Sequence, residues 1–481
     1  MTATAEKSGR LTDAEAIQRL KEVERATGLY SIRVGQWSVW PLLKMSVMLK
    51  MTALELSSRR ASPGAAARAG LALRDAAAIS VARPRRILIK TATSTMVDVE
   101  NGKYKDYIFD DLLAVLPSFH KIDAVIAADD VERRRNALVP PLASTAGPEL
   151  GAALGSRVGP SAEDRAAGEK IARILRTELG LNDCDAQWAT FRIAHFGWSR
   201  ASYKAMLRRL CTDGLVVADP GEHAAIAAAR ELGLSSVELQ HGFLNADHPG
   251  YEYSQVDTGA ASSIPMPDQL FVFGDYWKRI LEEMPFWRGR IIAAGSLRLD
   301  SYRRLPRQRS SGRTILFTTQ GIDTPSVIRF LQQAWSQVAP DAKVRLVIKL
   351  HPLWDADPSP YAVVFGGDER VSVIPGSSEP NTLKLLTATD LHLSISSTCH
   401  YEACALGVPT VVLPFATSDN MAAMIAAGHA VQAQSPDHLA ALMRGSSPLP
   451  VDPSASSFYF APNARENMRQ ALDQILAARR P

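Results

Sequence analysis

Short apolar runs rich in β-branched residues recur along this chain. Each ends in a polar or glycine-bearing loop, and a helical stretch follows most of them. RILIKTA (from Arg86), Ile122–Ala127, LVVADP (Leu215–Pro220), SSVELQHGF, DQLFVFG (Asp268–Gly274) and IIAAG (Ile291–Gly295) occupy the first part. RTILFTTQG, VRLVIKLHP (Val344–Pro352), VSVIPG (Val371–Gly376) and LHLSISSTCHYEACALGVPTVVLP (Leu391–Pro414) occupy the second. Strands separated by helices must cross back over a sheet and run parallel, and such strands are buried on both faces. The pattern predicts an α/β chain with two Rossmann-like domains facing across a cleft, preceded by a helical N-terminal region. The expected divisions are 1–85 for the helices, 86–302 for the first domain, 303–450 for the second, and 451–481 for a tail with a closing helix. Arg303–Arg313 reads as the linker, and the Pro/Gly/Ala-rich Pro140–Pro160 reads as loop.

The 481 residues allow two to four domains, and 46% hydrophobic content suffices for a real core. Four dispersed cysteines without a CxxC pair argue against a disulfide scaffold or a zinc site. No secretory leader and no long apolar run is read, so a cytoplasmic protein is expected. Between Ala26 and Arg86 ten Lys/Arg face two acids, although the whole chain carries only +4. The same segment includes QWSVWPLLKMSVMLKMTALEL. It reads either as a helix packed on its own protein or as an interfacial helix, which would put the protein at the inner face of the cell membrane on an anionic surface. A nucleic acid is not an expected partner.

Ligands in open α/β sheets sit beyond the carboxyl ends of the strands. Asp219, Glu222 and His241 fall there in the first half, and Gln320, Gly321, Lys349, His351 and Ser396-Ser397-Thr398 in the second. Hydroxyls at the start of a helix suit a phosphate, and Glu402 one turn on could meet a ribose; the same residues also suit an ordinary N-capped crossover helix. A histidine titrating near neutrality suits a general base, which makes His241 the first candidate, with Asp219 and Glu222 as alternatives. Gly321 would let its loop approach a diphosphate. Thr91, Ser94 and Asp98 follow the first strand on the side expected to hold an acceptor, with Tyr104 and Asp106 beyond, and His248–Tyr251 reads as a lid. No carboxylate pair or histidine spacing marks a metal site.

LQHG (Leu239–Gly242), KLHP (Lys349–Pro352) and SSTxxxExxxLGxP (Ser396–Pro409), in that order and at strand ends, resemble GT-B glycosyltransferases. More narrowly, they resemble the bacterial capsule and surface-polysaccharide enzymes, polysialyltransferases and teichoic-acid polymerases among them, over roughly residues 86–430. The resemblance implies an inverting, metal-independent transfer from a nucleotide-activated sugar to a glycan or lipid-linked acceptor, with no cofactor beyond the donor. It makes His351, Ser396, Ser397, Thr398 and Glu402 donor residues and His241 the base. The acidic D/E-D/E-G motif of the sialyltransferases is missing; Thr212-Asp213-Gly214 matches only in part and precedes a strand. A CDP-polyol phosphotransferase, a sugar-nucleotide 2-epimerase and a non-catalytic assembly subunit are the alternatives.

Overall fold

The computed structural model describes residues 11–52, 64–92, 95–100, 102–114, 116, 118–125, 130–257, 259–306, 312–352, 354–376, 378–447, 449 and 452–477. The strands assemble into two parallel sheets. The first contains β1 (Ile87–Ala92), β2 (Phe119–Ala124), β3 (Ala143–Ser144), β4 (Gly214–Val217), β5 (Ser235–Leu239), β6 (Gln269–Val272) and β7 (Ile291–Ala293), in the order β3-β2-β1-β4-β5-β6-β7. The second contains β8 (Arg313–Thr318), β9 (Val344–Lys349), β10 (Val371–Ile374), β11 (Leu391–Ser394), β12 (Thr410–Val412) and β13 (Val431–Gln432), in the order β10-β9-β8-β11-β12-β13. All these pairings are parallel. Each sheet therefore has the Rossmann order, in which the chain reverses direction between the first and fourth strands and opens a crevice at their carboxyl ends. The runs read as strands contain strands, the run Ile122–Ala127 only as far as Ala124, with 126–127 outside the described residues; β3 and β13, two residues long each, were too short to show a pattern.

The carboxyl edges of the two sheets face each other. Asn245, beyond β5, donates from Nδ2 to Asn420 Oδ1, beyond β12, at 3.2 Å. Phe243 stacks on Tyr401 with ring centroids 6.1 Å apart, joining the loop after β5 to the helix after β11. Trp277 meets the same Tyr401 ring edge-on at 4.7 Å, and its Nε1 donates to the Tyr459 carbonyl at 2.8 Å. These aromatics form a dry seam beside the cleft. The two domains form the GT-B arrangement.

Two expectations change. Pro140–Pro160 contains a helix, Ala146–Val158. Its glycines are a packing face: a Cβ on Gly155 would lie 2.2 Å from the Trp198 ring, and one on Gly151 2.2 Å from Ser202 Oγ. The helix lies against the 25-residue helix Ala186–Leu210. The N-terminal helices are also no separate foot. Trp37, Trp40, Leu43 and Val47 are core residues, so the apolar face read as a candidate membrane surface is covered by protein. Lys44, instead of snorkelling outward, is buried with its ammonium 2.9 Å from Glu24 and 2.7 Å from Glu252, and it accepts no solvent contact of note. Tyr30 OH and the Glu252 carbonyl complete its shell at 2.9 and 2.7 Å.

The helix Ala464–Ala477 returns to the first sheet. Met468, Ala471, Leu472 and Leu476 pack with Ile87, Ile89, Val216 and Val237, and Ala464 N donates to Asp300 Oδ2 at 2.8 Å. Among the described residues no helix is long and apolar enough to cross a membrane. Part of the expected linker, 307–311, lies outside the described residues.

Candidate active site in the interdomain cleft

In the second sheet the switch-point crevice is bridged by one side chain. Gln320, just past β8, donates from Nε2 to the Ser396 carbonyl at 2.9 Å, and its Oε1 accepts from Ser396 N at 2.7 Å. Ser394 Oγ donates to the Thr318 carbonyl at 2.8 Å. The amide thus holds the ends of β8 and β11 at a fixed spacing. Ser397 is the N-cap of the helix Thr398–Ala405, its Oγ accepting from Cys399 N at 3.2 Å. The N-cap reading holds: the hydroxyl caps the helix, and it stands part-exposed at the helix's positive end.

Thr417 joins the group, its Oγ1 2.6 Å from Ser396 Oγ. Its φ of +71° lies in the left-handed region, which a β-branched residue rarely adopts. Such strain collects at ligand sites. Below the crevice, His392 bridges Thr318 Oγ1 at 2.9 Å and Thr410 Oγ1 at 2.8 Å, and His400 Nδ1 lies 2.6 Å from the same Thr410 hydroxyl. Burial lowers both histidines, His400 to about 3, so this layer is uncharged.

His351 stands at the end of β9. Its backbone N–H donates to Thr319 Oγ1 at 3.0 Å, and its Nδ1 accepts from Trp354 N at 3.1 Å. Burial holds its pKa down to about 4, so the neutral ring carries its proton on Nε2. Lys349 is turned away from any donor: its ammonium donates to the Pro375 and Ser378 carbonyls at 2.7 and 2.6 Å, fastening the loop after β10. Burial lowers it to about 8. Gly321 does adopt φ +70°, but a Cβ there would sit 2.1 Å from the Trp354 carbonyl. Its bareness serves packing of two loops, not approach to a diphosphate.

His241, two residues past β5, is solvent-exposed at the carboxyl end of the first sheet. Burial lowers its pKa, and the Asp219 carboxylate partly restores it, so the ring is neutral at pH 7 and able to accept a proton. Asp219 also shapes the loop after β4, its Oδ1 accepting from Gly221 N at 2.6 Å. Glu222 is engaged otherwise. It forms an ion pair with Lys90 of β1 across the first sheet's switch point. Burial works against the Lys90 ammonium, but the Glu222 charge more than offsets it and raises its pKa. Glu222 is thus a strut between β1 and β4 and is poorly placed to serve as a base.

The acceptor-side candidates divide. Thr91 is buried, its hydroxyl donating to Asp106 Oδ2 at 2.7 Å, and Asp106 itself is 3.3 Å from the buried Lys121 ammonium. Tyr104 makes backbone bonds to Asn136 and Leu138. Asp98 lies in a two-stranded hairpin, Met96–Glu100 with Lys103–Asp106; its side chain and Ser94 lie outside the described residues. The presumed lid is a fixed turn: Tyr251 is buried with its hydroxyl on Glu238, and its carbonyl accepts from Trp287 Nε1 at 2.7 Å.

Two residues that no motif marked enter the cleft from the first domain. Arg298 begins the helix Leu297–Arg303, and its guanidinium lies 5.1 Å from the Tyr107 ring centroid. Both face Glu402: burial raises the Glu402 pKa, and the Arg298 charge and a Cys399 contact lower it. Among the described residues no cluster of three or more His, Cys, Asp or Glu could hold a metal ion.

No family model and no curated protein matches the chain. Solved structures do. A UDP-N-acetylglucosamine 2-epimerase from Listeria monocytogenes is 14% identical with a TM-score of 0.49, covering 82% of this chain and 96% of its own. The calicheamicin glycosyltransferase CalG4 is 15% identical with a TM-score of 0.48, covering 83% of this chain and all (100%) of its own. The epimerase from Neisseria meningitidis bound to UDP-GlcNAc is 12% identical with a TM-score of 0.47, covering 82% and 100%.

Proposed function

We propose that this chain is an inverting glycosyltransferase that moves a sugar from a nucleotide-sugar donor to a growing surface or capsular polysaccharide, using no cofactor or metal beyond the donor itself. The observation that carries the reading is that the loop after LQHG contacts the helix that SST opens. Phe243, two residues past His241, stacks on Tyr401, in the helix that Ser397 caps. In this reading the loop that carries the base, His241, adjoins the helix that would receive the donor phosphate.

In this scheme neutral His241 takes the proton of the acceptor hydroxyl. The acceptor oxygen attacks the anomeric carbon, the bond from that carbon to the phosphate oxygen breaks, and the nucleoside diphosphate leaves with the electron pair. The negative charge that develops on it is met by the Ser396, Ser397 and Thr398 hydroxyls, by the positive end of the helix, and by His351 as a neutral donor. Glu402, one turn into the same helix, orients the ribose, with the Arg298 charge favouring its ionised form.

Thermal-shift measurement against UDP-, GDP-, CMP- and CDP-linked donors tests the first half of the scheme. A donor at a hundred times its Kd adds about 2.7 kcal/mol of apparent stability. One donor class is expected to raise the melting point, and Ser397→Ala to weaken that shift. If none moves it, the reading fails. Incubating the active donor with and without acceptor glycan then separates transfer from epimerisation: sugar inversion without an acceptor would replace the transferase with an epimerase.

A further inference from the structure

A groove of about 1300 Å³ lies in the first domain. Its floor is one face of the helix Ala186–Leu210: Trp188, Arg192, His195, Ser199 and Tyr203 recur at three- and four-residue intervals, and all of them line it. That stripe runs about 22 Å along the helix. Two further helices, Ala146–Val158 and Ala162–Leu179, pack against the same helix and supply the walls, with Glu149 on one and Arg165 and Glu169 on the other. The inner end reaches Gly221 and His223, in and just after the loop that follows β4. Asp219 of that loop, whose Oδ1 accepts from Gly221 N at 2.6 Å, is also the group whose charge raises the His241 pKa. The groove therefore leads from the outer surface to the loop that neighbours His241.

Its lining is aromatic and mixed in charge. The Phe191 side chain is 58% exposed, and Trp188 is half-buried, with the Arg192 guanidinium 5.0 Å from its ring centroid. Glu149, Glu169, Asp183 and Asp185 line the groove together with Arg165 and Arg192. Lys50 pairs with Asp183. Burial lowers the pKa of His195 and of His223, so both rings are neutral at pH 7. A lipid tail would strip water from the carboxylates without replacing its hydrogen bonds. A polyanion would meet the carboxylates, and a polycation the guanidinium groups. A chain of uncharged hydroxyls suits them all. A hydroxyl donates to a carboxylate and accepts from a guanidinium, and an exposed aromatic ring receives the apolar face of a sugar ring.

We propose that this groove holds an uncharged oligosaccharide chain, with Trp188 and Phe191 as stacking platforms and Glu149, Glu169 and Arg165 as partners of its hydroxyls. The site deepens the proposed transfer and rests on it for its purpose, although the binding itself does not. A growing polysaccharide is gripped behind its reacting end, and that polymer is a neutral one, where a sialic-acid or teichoic-acid chain carries a charge on each unit.

The test is binding of the full chain, without nucleotide, to an array of immobilised oligosaccharides. Short and long neutral chains of glucose, mannose, galactose and rhamnose stand beside oligosialic acid, oligogalacturonic acid and glycerol-phosphate oligomers. The wild type is expected to be retained by at least one neutral series, more strongly as the chain lengthens, and not by the acidic chains. Trp188→Ala/Phe191→Ala should lower that signal about tenfold, and Phe191→Ala alone, at the more exposed ring, about threefold with an unchanged melting point. Val363→Asp, at an apolar side chain 86% exposed in the second domain, should bind as the wild type does. A wild type retained by no sugar, or by acidic chains only, overturns the proposal, and so does a Trp188→Ala/Phe191→Ala variant with the full signal. Equal retention by alkyl-chain controls that carry no sugar would make the groove a lipid-tail site and overturns it as well. Donor-induced thermal shifts on the same variants report separately on the glycosyltransferase reading.

Discussion

At the scale of single residues, His241 and Asp219 are separable by pH. Burial places the His241 pKa below 6.5, and Asp219 pulls it part of the way back. A base must be neutral, so kcat/KM should fall as pH drops through the His241 pKa, and the fall should begin below 6.5. Asp219→Asn removes the charge that raises the histidine and should move this acid limb to lower pH while keeping most of the plateau rate. His241→Ala should cost roughly 10²–10⁴ in kcat and leave donor affinity largely intact. A plateau that collapses in Asp219→Asn would transfer the role of base to the aspartate. Residues of this kind were legible in the sequence because each sits one to three positions past an apolar run. Arg298, Tyr107 and Thr417 were not. Each reaches the cleft through the assembly of loops distant in sequence, and nothing local distinguishes an arginine that will face a glutamate from one that will face solvent.

At the scale of elements, β5 carries an unusual member. Glu238 is fully buried in the middle of the first sheet, and burial lifts its pKa to about 8 despite the Tyr251 hydroxyl bonded to it. A carboxyl whose folded pKa is raised stabilises the fold fully below its unfolded pKa of 4.5 and loses that contribution as pH rises through about 8. The wild type should therefore lose up to about 1.4 kcal/mol per pH unit across this window from Glu238 alone. Glu238→Gln should flatten the dependence, and denaturant melts at pH 6 and pH 9 (about three units apart) would expose the difference. Equal slopes in both proteins would show that the carboxyl is ionised in the fold. The helix Ala146–Val158 makes a second case. Gly155→Ala would normally strengthen a helix, but here the new methyl meets the Trp198 ring, and a loss of about 1–3 kcal/mol is expected. The same glycines explain why the segment reads as loop: Gly and Pro signal a turn locally, and only the neighbouring helix reveals them as a close-packing face.

At the scale of the whole molecule, two Rossmann orders and two opposed carboxyl edges follow from strand-helix alternation, so the architecture was readable in outline. The standing of the N-terminal helices was not. A run of Trp, Met, Leu and Lys suits a membrane surface and a protein core equally well, and Lys44 decides between them by being enclosed with Glu24 and Glu252. Lys44→Ala should leave two buried carboxylates without their cation and cost roughly 3–5 kcal/mol. Limited proteolysis should then cut within the first fifty or so residues before the rest of the chain, if those helices loosen first. Simultaneous loss of both domains would mean that they unfold as one unit.

The return of Ala464–Ala477 to the first sheet also governs how the chain matures on the ribosome. A nascent chain usually completes its domains in the order in which they emerge. Here the strands from Ile87 to Ala293 must wait, with the face holding Ile89 and Val216 uncovered, until a helix more than a hundred residues downstream has been made. The second domain, Arg313 to Arg444, is continuous and can close in the meantime. The domain begun first is finished last, and a stalled or truncated chain would carry a complete second domain beside a first domain with an open apolar flank.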